Sequence, residues 1–243
     1  MARKSALTEV SQRGVAASTR ATAVYERLRS DIAHGELEPG SKLRVEAMCA
    51  RYNVGASPLR EALSRLSSEG LVARTDLRGF SVAPLNWDEL PVLTNNRVQL
   101  ESIALRESIA NRDRALEDQL VLLVHRLSRT PRSLAEDHYV SNPEWETVHR
   151  DFHDALLSRC PSRWLRAFCE KLTDENYRFR QMAADQGRTM RNEHDEHVAI
   201  FEAVIEGRAD DAVRALESHY RRTAEIVGAV VSTKTPIAVS KAA

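Results

Sequence analysis

Beyond about residue 85, the apolar residues recur at helical spacing and no stretch stands out as alternating apolar with polar. The larger part of the chain must therefore bury its hydrophobic surface by packing helix on helix. Trp87-Asp88-Glu89-Leu90 opens this region, and Val98, Ile103, Ala104 and Leu105 belong to a long apolar-rich helix reaching about Asn111. Segments near 114–128, 144–159, 162–184, 188–206 and 210–228 follow. They are punctuated by Pro131, Asn142-Pro143, Pro161, Gly187 and Gly207. The expected architecture here is an all-α bundle.

The 243 residues are enough for a real core and for two domains. No run approaches 18 consecutive apolar residues, so no membrane-spanning helix and no membrane partner is expected. The first twenty residues carry Arg3, Lys4, Arg13 and Arg20 without an apolar segment, so no secretory signal is visible. Cys49, Cys160 and Cys169 fit neither a disulfide framework nor a zinc ribbon, which points to a reducing, cytoplasmic setting.

The formal net charge of zero conceals an asymmetry. Residues 1–84 hold 13 Lys/Arg against 9 Asp/Glu, and residues 85–243 hold 22 against 26, a split of +4 and −4. A basic front on an acidic body is what an electrostatically guided nucleic-acid-binding head would carry.

That front reads as a mobile tail over residues 1–20 and a compact head over residues 21–84. Val24, Leu28 and Ile32 mark a first helix, which Gly35 can close in a left-handed conformation before the Pro39-Gly40 turn. A second helix spans about Arg44 to Tyr52, and Asn53-Val54-Gly55 makes a sharp corner. In the third helix Ser57 is the expected N-cap, with Pro58 at the first helical position. Leu59, Ala62, Leu63 and Leu66 form one apolar face, and Arg60, Ser64 and Ser67 lie together on a flank clear of it. Two short strands, Leu71–Arg74 and Phe80–Ala83, flank a hairpin tip carrying Arg78 and Gly79. Such a third helix can enter a major groove, where Arg donates two hydrogen bonds to guanine and hydroxyls hold phosphates. The candidate DNA contacts are Arg44, Ser57, Arg60, Ser64, Arg78 and Gly79.

The run Leu43–Leu71, centred on Ser57-Pro58-Leu59-Arg60-Glu61-Ala62-Leu63, with Glu69-Gly70-Leu71 and the Arg78-Gly79 wing, resembles the winged helix-turn-helix of GntR-type regulators. The resemblance implies that Arg60 reads a base. It also marks a departure: Ala56 stands where the family often carries a DNA-contacting Arg.

Histidine gives the second half its chemistry. Six of the eight histidines lie between His138 and His219. His149 and His153 are i, i+4 on one helix face, the spacing that lets two imidazoles reach one metal ion. Asp151 points away from that face. If the last two helices are antiparallel neighbours across Gly207-Arg208-Ala209, with Asp210 a possible cap, His197 and His219 can face the same interior point. Taken by themselves, these rings read first as satisfied core or surface histidines.

The second half resembles the FCD effector domain of the FadR-like branch of GntR regulators, which carries Asp-x-x-Phe-His, then Glu-His on the penultimate helix and His on the last. The matches are Phe152-His153, Glu196-His197 and His219, with His149 in the place of the family's Asp. The resemblance implies a divalent metal held by His149, His153, His197 and His219. The change from oxygen to nitrogen favours zinc or nickel over harder ions. Arg97 and Glu101 match an Arg-x-x-x-Glu pattern of that branch, and Arg178 and Arg180 follow Tyr177 on a middle helix. Arg97, Glu101 and Arg178 are the candidate effector contacts, because a guanidinium grips a carboxylate in a bidentate pair. A narrower likeness is to the glutarate-responsive repressors of this branch, through His-x-x-Phe-His and the run His194-Asp195-Glu196-His197.

The expectation is a mainly α protein: a winged helix-turn-helix of three helices plus a small β-hairpin, an all-α effector and metal-binding domain over residues 85–230, and a flexible tail over 231–243. Its expected function is that of a homodimeric DNA-binding repressor on palindromic double-stranded operator DNA, controlled by a small organic acid such as a dicarboxylate. Two alternatives are a helical metallohydrolase with an appended helix-turn-helix and an architectural nucleic-acid binder. His149-Arg150-Asp151-Phe152-His153 lacks the Glu that a zincin places after its first His, so a general base is missing.

Overall fold

The computed structural model describes residues 20–75, 79–137, 139–184 and 193–232. The tails expected over 1–20 and 231–243 lie outside these residues except for residues 20, 231 and 232, which are helical; Arg78, His138 and Gly187 also lie outside. The chain divides into two compact units, Met1–Leu85 and Asn86–Ala243.

In the first unit, helix α1 covers residues 20–33 and buries Val24, Leu28 and Ile32 along one stripe. Gly35 takes φ +80° at its end and Gly40 takes φ +78° in the following turn. Helix α2 (Val45–Tyr52) ends at Asn53, a non-glycine residue at φ 53°, and this left-handed corner turns the chain into α3 (Ala56–Ser68). Leu59, Ala62, Leu63 and Leu66 are buried on the inner face of α3. Tyr25 ties α1 to α3: its hydroxyl donates to Glu69 at 2.9 Å, and the Arg65 guanidinium lies 3.9 Å over its ring.

Two expectations need correction here. Ser57 is not the N-cap of α3; Gly55 is, with no side-chain cap hydrogen bond, so Ser57 and Pro58 both lie inside the first turn. Pro58 still costs nothing, because the first four helical N–H groups have no intrahelical partner. The wing, moreover, has three strands. Besides β2 (Val72–Thr75) and β3 (Gly79–Val82), β1 (Lys42–Leu43) pairs with the far edge of β3, giving the order β1-β3-β2, all antiparallel. A two-residue strand is too short to show a period of two, and its pairing with Ser81 and Phe80 is a tertiary event.

The second unit opens with a 3₁₀ turn at Trp87–Glu89, capped by the Asn86 side chain. Six helices follow among the described residues: α4 (Leu90–Ala110), α5 (Arg114–Arg129), α6 (Pro143–Leu157), α7 (Arg163–Ala184), α8 (Glu193–Ile205) and α9 (Ala209–Ser232). Asp113 caps α5 by accepting from the Leu116 N–H at 2.8 Å, and Asn142 caps α6 with Pro143 in its first turn. Asp210 lies in the first turn of α9, where a carboxylate complements the helix dipole. Helix α4 packs against α6, α7 and α9, and α8 packs against both α5 and α9. This encirclement explains why α4 buries polar as well as apolar residues, among them Thr94, Arg97, Glu101 and Ser108. Burial of Phe152, Leu105, Leu116, Leu120, Leu156, Ile200 and Leu216 supplies the apolar core.

Candidate metal centre and reading helix

Four imidazoles meet inside the second unit. His149 and His153 come from α6, His197 from α8 and His219 from α9; all are buried, and one ligand atom from each lies within 4.8 Å of every other. The ring centroids of His149 and His153 are 4.6 Å apart, and those of His197 and His219 are 4.8 Å apart. The turn at Gly207, with φ +73°, returns α9 along α8 and brings the last two rings together. Asp151 is exposed on the opposite side of α6 and His194 is exposed on α8, so neither belongs to the cluster.

The ring orientations follow from their outer partners. His153 and His149 face each other through Nε2 at 3.2 Å. The Nδ1 of His153 is 3.1 Å from the Tyr220 hydroxyl, which itself donates to Glu101 at 2.5 Å. The Nδ1 of His219 is 2.8 Å from Glu196. The Nδ1 of His149 is 3.2 Å from a guanidinium nitrogen of Arg180, and that guanidinium also pairs with Glu146. Trp145 stacks on the His149 ring at 4.6 Å and walls that side.

Burial, then the charge of Arg180, holds His149 well below the usual imidazole range; burial, then His219 and His197, does the same for His153. Neutral imidazole is the form that ligates a metal ion, so the donor set fits a borderline-soft divalent cation such as Zn²⁺ or Ni²⁺. The depressed values also fix the direction of pH dependence. Both rings stay neutral in the fold but titrate near pH 6.5 in the unfolded chain, so the stability they contribute is full above that pH and drains away as the pH falls below it. Acidification from pH 7.5 to 5 is expected to lower the metal-free midpoint of unfolding, each ring costing about 1.4 kcal/mol per pH unit until its folded value is reached. Melting curves across this range test it: a profile no steeper for the wild type than for His149→Phe would contradict the assignment.

The effector candidates separate. Arg97 is buried on α4 and donates to Glu101 at 2.8 Å and to Asn176 at 3.0 Å, with its Cζ 4.0 Å over the Tyr220 ring. Burial opposes its charge, but Glu101 and Tyr220 more than compensate, and it remains a guanidinium. Glu101 thereby joins Arg97 to His153 through Tyr220. Arg178 is buried and paired with Glu175 at 2.9 Å, and Arg180, two residues on, reaches the His149 imidazole. Glu146, Arg180, Tyr220 and Glu196 are the cluster partners that sequence reasoning did not assign. Glu146 had a signal, because it shares the α6 stripe of His149 and His153 at i, i+3, i+7.

In the first unit, Arg60 and Ser64 are exposed on α3, Ser57 is exposed in its first turn, and Arg44 is exposed at the N-cap position of α2. Gly79 opens β3 at φ +92°, opposite Thr75. Its neighbour Arg78 lies outside the described residues.

A three-helix head with an antiparallel wing, in one chain with a helical unit built around buried imidazoles, is the plan of a DNA-binding transcription regulator rather than an enzyme. Residues 20–82 match the bacterial regulatory proteins of the gntR family, and residues 93–222 match the FCD domain. The chain belongs to the GntR family of regulators and carries an FCD domain. It is 36% identical over 205 residues to the uncharacterized HTH-type transcriptional regulator BphR of Paraburkholderia xenovorans (strain LB400), covering 84% of each chain. It is 31% identical over 197 residues to the HTH-type transcriptional repressor GlaR of Escherichia coli (strain K12), covering 79% of this chain and 87% of that one. Among solved structures, E. coli McbR/YncC superposes with a TM-score of 0.72 at 19% identity, over 86% of this chain and 96% of that one. That likeness is one of fold. No described helix is long and apolar enough to cross a membrane.

Proposed function

We propose that this chain is a cytoplasmic, homodimeric repressor whose affinity for a palindromic operator is set by a small carboxylate bound beside a divalent metal ion in the helical unit. The observation that carries the sensing half is the meeting of four buried imidazoles from three helices, a donor set that an ordinary core does not need. His149, His153, His197 and His219 would hold the ion, with zinc or nickel preferred because all four donors are nitrogen. The ion would supply a Lewis-acidic anchor for an effector carboxylate. The guanidiniums nearest to it through the hydrogen-bond chains are Arg180 and Arg97, with Glu101 fixing Arg97; Arg178, held by Glu175, would contribute from further along α7. The likeness to glutarate-responsive repressors favours C4–C6 dicarboxylates as the effector class. Effector binding can shift operator affinity only by as much as the effector distinguishes the two states of the dimer.

In the head, α3 would lie in the major groove with Arg60 on guanine, Ser57 and Ser64 on phosphates, Arg44 on the flanking backbone, and Arg78-Gly79 along the backbone or in the minor groove. A two-fold protein reads two half-sites. Arg60→Ala is expected to weaken binding to an operator selected from random duplexes by about 10- to 100-fold, a loss of ~1–3 kcal/mol. Non-specific binding at low salt should change far less. Anisotropy titrations against operator and scrambled duplex test this. Undiminished operator affinity in the variant would refute the role of α3.

A further inference from the structure

A metal-bound imidazole that ligates through Nε2 carries its proton on Nδ1, so the group outside Nδ1 must accept a hydrogen bond. Two outer partners here can. Glu196 accepts from His219, and the Tyr220 hydroxyl, which spends its own proton on Glu101, accepts from His153. The third cannot. Arg180 has only N–H donors, so the Nδ1 of His149 must be the acceptor, and the proton of that ring sits on Nε2, pointing at the Nε2 of His153. In this tautomer His149 has no lone pair to offer the cluster.

We infer that Arg180 is a switch on the fourth ligand: it holds His149 in the non-ligating tautomer, and His149 becomes a ligand only when Arg180 lets go. The proton then leaves Nε2 and one is taken up on Nδ1, with no net change in charge on the ring. The displaced guanidinium has a destination. One oxygen of Glu146 already accepts from Arg180, while the other, Oε1, is buried without a hydrogen-bond partner. Rotation of Arg180 onto both oxygens makes a bidentate pair, satisfies that oxygen and vacates Nδ1. The side chain is therefore poised between two arrangements, one closing His149 and one opening it. The inference rests on the proposed metal site and adds that its fourth position is conditional.

The test is a double-mutant cycle read as Ni²⁺ affinity of the full chain, by competition with a chromophoric chelator. Arg180→Gln is expected to bind Ni²⁺ on the order of ten- to hundredfold more tightly, because the Gln carbonyl can accept from Nδ1–H. In a His149→Ala background the same change should gain nothing, since no tautomer remains to be released. A gain that persists in that background would mean that Arg180 acts through its charge alone, and would overturn the inference, as would a single variant no tighter than wild type. If Arg180→Gln unfolds through the isolation of buried Glu146, Glu146→Gln/Arg180→Gln removes that charge and is expected to show the same tightening. Absence of Ni²⁺ binding by wild type and all variants would overturn both the inference and the metal reading, whereas binding without the cycle's coupling would overturn the inference alone.

Discussion

Stripped of metal and then given excess Zn²⁺ or Ni²⁺, the protein is expected to melt roughly 10 °C higher. A ligand that binds only the folded state stabilises it by about 4 kcal/mol at a thousandfold excess over its dissociation constant. Each kcal/mol moves the midpoint of a domain this size by about 2–4 °C. Four neutral imidazoles are already gathered within 4.8 Å, so binding needs no movement of the backbone beyond the release of His149 by Arg180, and most of the binding energy would appear as stability. His153→Ala removes a ring whose Nε2 faces His149, and should erase most of the shift whatever it does to the starting midpoint. Mn²⁺, a harder ion, should shift it less. The transition is read from tryptophan fluorescence, because Trp87, Trp145 and Trp164 all lie in the second unit. Equal midpoints with and without every one of these ions would remove the metal from the account and leave the imidazole cluster as a packing feature.

Much of this site was legible as sequence because helical geometry is local. The i, i+4 spacing puts His149 and His153 on one face regardless of context, and the short turn at Gly207 leaves α9 little choice but to return along α8. The apolar stripe Leu59-Ala62-Leu63-Leu66 likewise fixed which flank of α3 stays exposed. What was not legible depends on rotations that neighbours decide. Arg178 and Arg180 are separated by about 200° around α7. Which one points at α6 is set by how Asn176, Phe179 and Ala183 bury against the bundle, and no local pattern reports that. Tyr220 is one residue from a candidate ligand and reads as ordinary core until α4 brings Glu101 beneath it. The cap of α3 lies at Gly55 rather than Ser57, two residues after the left-handed corner at Asn53, a backbone choice that cap preferences alone do not contain.

Glu101→Gln is expected to destabilise the second unit by about 3–5 kcal/mol, the cost of leaving a buried guanidinium without its counter-charge. Glu101 is 1% exposed and Arg97 is 5% exposed, so water cannot screen the loss. The remaining neighbours of Arg97, Asn176 and Thr173, offer dipoles rather than charge. The pair itself need not be net stabilising, since desolvating two ions offsets most of their attraction. Arg97→Met/Glu101→Leu should therefore recover much of what the single variant loses. That recovery separates a charge effect from mere loss of shape. The same network carries a second consequence. Glu101 accepts the hydrogen bond of the Tyr220 hydroxyl, which leaves the Tyr220 oxygen as an acceptor for His153. A Gln amide at 101 can instead donate to that oxygen, so the hydroxyl is free to turn its proton on Nδ1 and disfavour the tautomer that ligates through Nε2. Urea unfolding followed by tryptophan fluorescence gives the stability, and Zn²⁺ titration of the still-folded variant gives the affinity, expected to fall on the order of tenfold. Loss of stability with unchanged Zn²⁺ affinity would confine Glu101 to the core; loss of both ties this buried ion pair to the orientation of the metal's ligands.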